Sequence, residues 1–503
     1  MEKTNPRVRI LKGDIEQQVI KPMRSHGWTV SIVSEQNAHD VVELEATKEA
    51  RTARFAFLYT TAIDNSYFRQ IASRNERIFY HGQPYRLDSY ARGVEVPIEP
   101  MGDFFPVLVE LNKQLEPTGI FHALKPRRRR SRRITDENPQ QSVLTRLEQF
   151  TSPFLCRKLV AERAEYAGYP LSDDILKSKA EGMAFSVSSA LDYFRVRQDD
   201  PLNKRILGLY YGSLAFAFAE MLASPSGPHD LDEVEGITKL GHGLYTLGST
   251  GIELPDLTVG VLASGFLPRW LDFLGYDTSA FPRQKAKNGD DLGKISGQMH
   301  LSLGGLLGSF PEIDDLYRSV IALEPSWLIP AYHLPDNKIV SLNSTGKKPN
   351  STYCRFIDLS EKIGLDRLKR AGLPIAEVQL IPKDEREYAG QAYRARVDHE
   401  GYDVWWDVIP THRSPSQHPT TTLLPTLGGM RDYRVLATVA LYSLSIVVRY
   451  MPSLWRRVEG GDHDQYLALI KAALAAWERV LPQQFLESIA DEYIHTAQPG
   501  NFF

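Results

Sequence analysis

Between Lys125 and Arg133 the chain reads KPRRRRSRR, seven basic residues in nine with no acid among them. Charges this dense repel one another and cannot all turn toward a packed interior. Together with the following ITDENPQQS, the run predicts a solvated linker over residues 123–141. It would divide the 503 residues into a small unit, 1–122, and a larger one, 142–503, which suits a length above the roughly 100–200 residues of one domain. The rest of the chain does not share this charge. Across the whole sequence 59 Lys and Arg meet 62 Asp and Glu, a net charge of -3. That excludes a uniformly cationic coat for nucleic acid and makes any basic binding feature local. Arg forks match phosphate geometry and release counterions. The expected partner of Lys125, Arg127, Arg128, Arg129, Arg130, Arg132 and Arg133 is therefore DNA or RNA. A bare tether, or an acidic protein partner, is the alternative.

The first unit predicts a small α/β domain in the order α-β-β-β-α-β. Residues 14–25 carry apolar residues at helical spacing, with Pro22 bending or ending the helix. Strands are expected at Trp28–Val33, Val41–Ala46 and Arg54–Thr60, the last aromatic and alternating. Asp64 suits an N-cap for a helix to about Asn75; Arg77–Tyr80 is a further strand and Asp103–Leu115 a further helix.

The second unit predicts a mainly α-helical domain with a small antiparallel β insertion. Leu144–Ala167, Ile175–Val196, Lys204–Leu222, Asp314–Leu323, Tyr433–Tyr450 and Tyr466–Val480 place apolar residues at i, i+3 and i+4. The insertion, about residues 327–410, contains strand-like runs at Ala376–Ile381, Gln391–Val397 and Tyr402–Ile409, with His399-Glu400-Gly401 turning between the last two. Trp327–Ala331 and Lys338–Leu342 would add two more.

A composition of 42% hydrophobic and 24% charged residues excludes a disordered chain or a coiled-coil rod. The start has no apolar core of a signal peptide. The apolar runs Ile206–Ala219 and Val435–Val448 are shorter than the ~20 residues of a membrane span, so no membrane partner is expected. Two cysteines, Cys156 and Cys354, cannot frame a disulfide scaffold and suit a cytoplasmic protein.

Four strings in the larger unit occur in a fixed order: Leu209-Tyr210-Tyr211-Gly212, then Gly241-His242-Gly243-Leu244, then Phe310-Pro311-Glu312-Ile313, and finally Leu444 to Trp455, LSIVVRYMPSLW. This set resembles the bacterial YaaC-like family over about residues 145–490. The resemblance implies a mostly helical cytoplasmic domain and no particular activity. Physically, Gly212 allows one helix to approach another closely. Arg449, inside an apolar helix, must hold a partner or reach water. His242, between two glycines, is accessible and titrates near neutral pH.

The α-β-β-β-α-β order of the first unit resembles the core of the PD-(D/E)xK restriction-endonuclease-like family. That likeness implies carboxylates holding Mg2+ or Mn2+ and a Lys assisting the attacking water. Asp40, just before Val41, is placed for the first carboxylate, and Glu16 is an additional candidate metal ligand. The next strand, from Thr52 to Phe57, lacks Glu-x-Lys; Glu43, Glu45 and Lys48 stand one strand earlier. Either the site has migrated to them or the core is not catalytic, and little or no cleavage is expected. Two further patterns are weaker. Arg394–His399 and Arg413–His418 have the Arg-x4-His spacing of HEPN-type ribonucleases, but on a strand and a loop. Asp462-His463-Asp464 reads as a helix cap. No CxxC, HExxH, EF-hand, Walker or GxSxG motif occurs. The expected function is nucleic-acid engagement, as in a phage-defence or DNA-processing system; the alternative is a non-enzymatic adaptor whose helical domain binds a protein.

Overall fold

The computed structural model describes residues 5–25, 27–48, 51–105, 107, 108, 111, 130–195, 200–249, 251–332, 350–382, 390–400, 402, 404–414 and 420–497. The chain separates into two units, Met1–Leu124 and Lys125–Phe503.

In the first unit, Asn5 caps the helix Pro6–Ile15 by accepting a hydrogen bond from Arg7 N at 3.1 Å. A π-helical turn, Glu16–Ile20, then leads into Lys21–Ser25, so Pro22 continues the helical path instead of ending it. The wider turn there relieves the backbone of the bond that Pro22 cannot donate. Five strands follow in spatial order: β1 (Thr29–Gln36), β2 (Val41–Lys48), β3 (Arg51–Leu58), β4 (Arg77–Tyr80) and β5 (Ile98–Pro100). The first three pair antiparallel. β3, β4 and β5 run parallel, with the helix Asn65–Ala72, capped by Asp64, crossing between β3 and β4. Alternation assigns the faces. Val42, Leu44, Phe55 and Phe57 pack with Val8, Leu11 and Ile15 of the first helix, whereas Val41, Ala56 and Leu58 meet Phe68 and Ile71 of the second. The α-β-β-β-α-β order is as the sequence predicts.

The larger unit is mainly helical. Asp173–Phe194 and Leu202–Ala223 pair closely, and Tyr433–Tyr450 and Asp464–Ala490 complete the core around them. Gly212 lets the first pair approach: a Cβ there would lie 2.6 Å from the Phe194 ring. The long segment predicted at 144–167 is two helices, Pro139–Glu148 and Pro153–Ala167, because Pro153 starts a new helix under a Ser152 cap. Leu202–Ala223 is long and apolar enough to cross a membrane, but 72% of its apolar window is buried inside the protein. It is a core helix longer than the sequence run suggests.

The insertion is an antiparallel sheet of Ile375–Leu380, Gln391–Asp398, Ser351–Asp358, Trp327–Tyr332 and Thr422–Leu423, in that order. Tyr402–Ile409 is not a strand; it holds a 3-10 turn at Trp405–Asp407. Gln391–Asp398 is already paired on both sides, so no edge remains for a hairpin partner after it. The predicted strand Lys338–Leu342 lies outside the described residues.

The linker expectation also changes. Arg130–Thr135 is a strand, paired in parallel with Glu492–Ala497. Ile134 and Ile494 anchor the pair in the main core, and Arg132 forms a two-point contact with Glu492 at 2.7 and 3.2 Å. A buried apolar residue at its end and an acid on its partner thus fix the last part of the basic run.

Candidate functional site

In the first unit each predicted carboxylate already has a cation or amide. Asp40 sits in the left-handed region (φ 55°) at the turn before β2. It accepts from Asn5 Nδ2 at 2.7 Å and pairs with Arg7 at 3.2 Å. Glu43 is buried; it accepts from Asn75 Nδ2 at 2.9 Å and lies 3.4 Å from the Arg74 guanidinium. Glu45 pairs with Arg54 at 2.6 Å, and Glu16 lies 3.7 Å from Arg24. Lys48 ends β2 opposite Arg51. Among the described residues no group of three or more His, Cys, Asp and Glu side chains stands close enough to hold a metal ion. Among the described residues Asp40, Glu43, Glu45, Lys48 and Glu16 therefore assemble no Mg2+ or Mn2+ centre, and Asp40, Glu43, Glu45 and Glu16 each have a guanidinium within 4 Å instead.

Of the basic run, Lys125, Arg127, Arg128 and Arg129 lie outside the described residues. Arg130, Arg132 and Arg133 belong to the paired strand, with Arg132 tied to Glu492. The HEPN-like spacings do not form a shared site. Arg394 stacks on Tyr353 at 4.2 Å, while His399 is buried and bonded to Thr352 Oγ1 at 2.9 Å. Arg413 covers Tyr493 at 5.2 Å, and His418 lies outside the described residues.

Three of the ordered strings converge in the larger unit. Tyr210 and Tyr211 project from the helix Leu202–Ala223, and Tyr442, Ser445 and Arg449 from Tyr433–Tyr450. His242 stands on the loop between them. Gly241 and Gly243 take φ of 95° and 75°, and a Cβ on Gly243 would strike Pro268 at 2.4 Å. The loop carbonyls are fixed by the next helix: Phe266 N donates to Gly241 O at 2.9 Å and Leu267 N to His242 O at 3.0 Å. This holds an exposed imidazole against a buried tyrosine.

Tyr210 Oη lies 2.8 Å from His242 Nδ1, and the Tyr442 ring lies 5.5 Å from the imidazole while its hydroxyl donates to Leu244 O at 3.1 Å. Arg449 donates to Ser445 O and Oγ at 3.1 Å and to Tyr211 Oη at 3.4 Å. Among the described residues no carboxylate pairs with it. Partial burial, and then the positive charge of Arg449, hold His242 below its ordinary value. Burial above all pushes the Tyr210 and Tyr442 hydroxyls up, so both stay protonated. With Tyr210 donating to Nδ1, the neutral imidazole carries its proton on Nε2. A cavity of about 370 Å³ opens here, lined by His242, Leu244, Tyr245, Ser264, Lys285 and Tyr442 among others, with no Asp or Glu among the described residues of its wall. Lys285 is exposed and makes no ion pair among the described residues. Polar donors and the Lys285 ammonium, in a wall with no carboxylate among the described residues, favour an anionic ligand.

A second buried polar cluster escaped the sequence. Glu312, from the third string, meets His412 and Tyr433; Gln484 Nε2 lies 2.7 Å from His412 Nδ1. Nearby, Arg434 donates to Glu220 Oε1 at 2.8 Å and to Asp432 Oδ2 at 2.8 Å. Both ring nitrogens of His412 are engaged, Nε2 by Glu312 and Nδ1 by Gln484. Apart from Arg434 and Asp432, which are two residues apart, the partners stand 72 to 214 residues apart, beyond the reach of any local pattern.

Comparison with curated proteins finds no match, and neither does comparison with solved structures. A family model described as YaaC-like Protein matches residues 148–489, more than half of the chain and all the residues of both buried clusters in the larger unit. The chain, from the helix pair that carries Tyr210 to the helix that carries Gln484, belongs to the YaaC-like family.

Proposed function

We propose that this YaaC-like chain engages nucleic acid through its helical domain, with phosphate recognised beside His242 and Arg449. The observation that carries the reading is Arg449, a guanidinium held by Ser445 and Tyr211 without a carboxylate partner among the described residues. The cavity beside His242, which has no carboxylate among the described residues of its wall, supports it. So does the Tyr193–Tyr211 ring pair, 5.9 Å apart, since aromatic faces accept unstacked bases. A place in a phage-defence or DNA-processing system rests only on the α-β-β-β-α-β order of the first unit, and fold alone does not fix function. The test is fluorescence anisotropy with labelled single-stranded RNA, single-stranded DNA and duplex DNA over a salt series, for the native chain and Arg449→Gln. Salt-dependent binding that Arg449→Gln weakens supports the reading; indifference to all three overturns it.

The adaptor reading is favoured by a different observation. Phe154, Tyr166 and Phe185 on the helices Pro153–Ala167 and Asp173–Phe194 are 76%, 64% and 66% exposed, unusual for large rings on a surface. Tight retention of one protein that Phe154→Ser and Phe185→Ser abolish, with no response to nucleic acid, would put that reading first.

A further inference from the structure

We infer that the cavity beside His242 takes a phosphate monoester, the phosphorylated end of a nucleic-acid strand, with Lys285 and His242 as the groups that hold it. This rests on the nucleic-acid reading and specifies which part of the strand the site reads.

Size limits the occupant. About 370 Å³ lies near the lower end of the range for small-molecule sites, roughly 300–1,000 Å³, which suits one nucleotide and excludes a duplex. Shape limits it further. Part of the wall is the strand Leu244–Leu247, whose Leu244 and Tyr245 are buried in the unit, so packed core backs the cavity on that side. Charge selects the end group. A monoester carries about -1.5 to -2 at neutral pH, against one negative charge for a diester within the strand. The wall offers the Lys285 ammonium, the His242 imidazole and the Ser264 hydroxyl, and among the described residues it holds no carboxylate to repel a dianion. Behind His242 stands the Arg449 charge, which favours an anion in front of the ring and disfavours a second cation there. At Gly241, which lines the cavity, a Cβ would meet nothing within 4 Å, so the wall is open at that position.

The test uses the full chain and one oligoribonucleotide sequence in three forms: 5′-phosphorylated, 3′-phosphorylated and unphosphorylated, with adenosine monophosphate and adenosine as a second pair. One phosphorylated form should bind at least about tenfold tighter than the unphosphorylated strand, since charge-assisted contacts are the strong ones. Lys285→Gln, at an exposed position that does not endanger the fold, should erase that preference, so that all three strands bind with the same affinity. His242→Asn should do the same. Equal affinity for all three strands overturns the inference while the nucleic-acid reading stands. Binding of adenosine monophosphate over adenosine that Lys285→Gln removes, with no strand bound, overturns the nucleic-acid reading and keeps the cavity as a phosphate site. Binding of none of the probes overturns both.

Discussion

His412 Nε2 lies 2.7 Å from Glu312 Oε1, and the imidazole stacks on Tyr433 at 4.1 Å with its plane tilted by only 6°. The pair joins the segment after the β insertion to the helical core, and both residues are almost fully buried. Tyr433 donates to the other Glu312 oxygen at 3.0 Å. Removing one partner leaves a buried group unsatisfied. His412→Ala should therefore cost about 3–5 kcal/mol of unfolding free energy, the range for breaking a buried pair. Urea unfolding checks it; a loss below about 1 kcal/mol, typical of an exposed pair, would contradict the clamp.

The same clamp has a pH signature. Burial pushes the Glu312 carboxyl up, but the bonds from His412 and Tyr433 outweigh it, and the net shift is downward. A carboxylate held below its unfolded value, about 4.3, stabilises the fold above that pH and loses the contribution as pH falls through the folded value. Glu312→Gln should flatten the loss of melting temperature below about pH 4.3. An unchanged acid limb would contradict the assignment.

His242 works in the opposite direction to a paired histidine. Held low by burial against Tyr210 and Tyr442 and by Arg449, it favours the neutral form in the fold. Its contribution is complete above the unfolded value of about 6.5 and is lost as pH falls toward the lower folded value. His242→Gln should make stability less dependent on pH between about 5 and 7, read as a melting series. If the native chain and the variant run parallel, the ring is not held in that environment.

Gly212 tests the helix contact. Alanine gains about 1 kcal/mol of helix propensity over glycine, but its Cβ would lie 2.6 Å from the Phe194 ring and 3.0 Å from Tyr193 Cβ. Overpacking costs about 1–3 kcal/mol, so Gly212→Ala should be net destabilising. A stabilised variant would mean that the two helices can separate without cost.

How much of this was legible follows from the range of each interaction. The α-β-β-β-α-β order and the main helices appear in the sequence because period-2 and period-3.6 patterns are local. Tyr402–Ile409 has strand chemistry, yet no local pattern reports that Gln391–Asp398 has both edges filled. The basic run hid a strand because its partner, Glu492, is 360 residues from Arg132. His242 and Arg449 stood out one at a time; that Tyr210 and Tyr211 serve them became visible only in the fold. His412 and Gln484 carried no signal, since a buried histidine declares itself only through its partners.

The central claim, phosphate recognition beside Arg449, is tested most directly by the salt dependence of single-stranded RNA binding. One phosphate contact contributes about 0.7 to the slope of log K against log salt on a single strand. Arg449→Gln should weaken binding about tenfold and lower that slope by about 0.7, with the melting temperature shifted little because the side chain is only half-buried. If affinity and slope both match those of the native chain, Arg449 does not meet phosphate and the account is wrong at its centre.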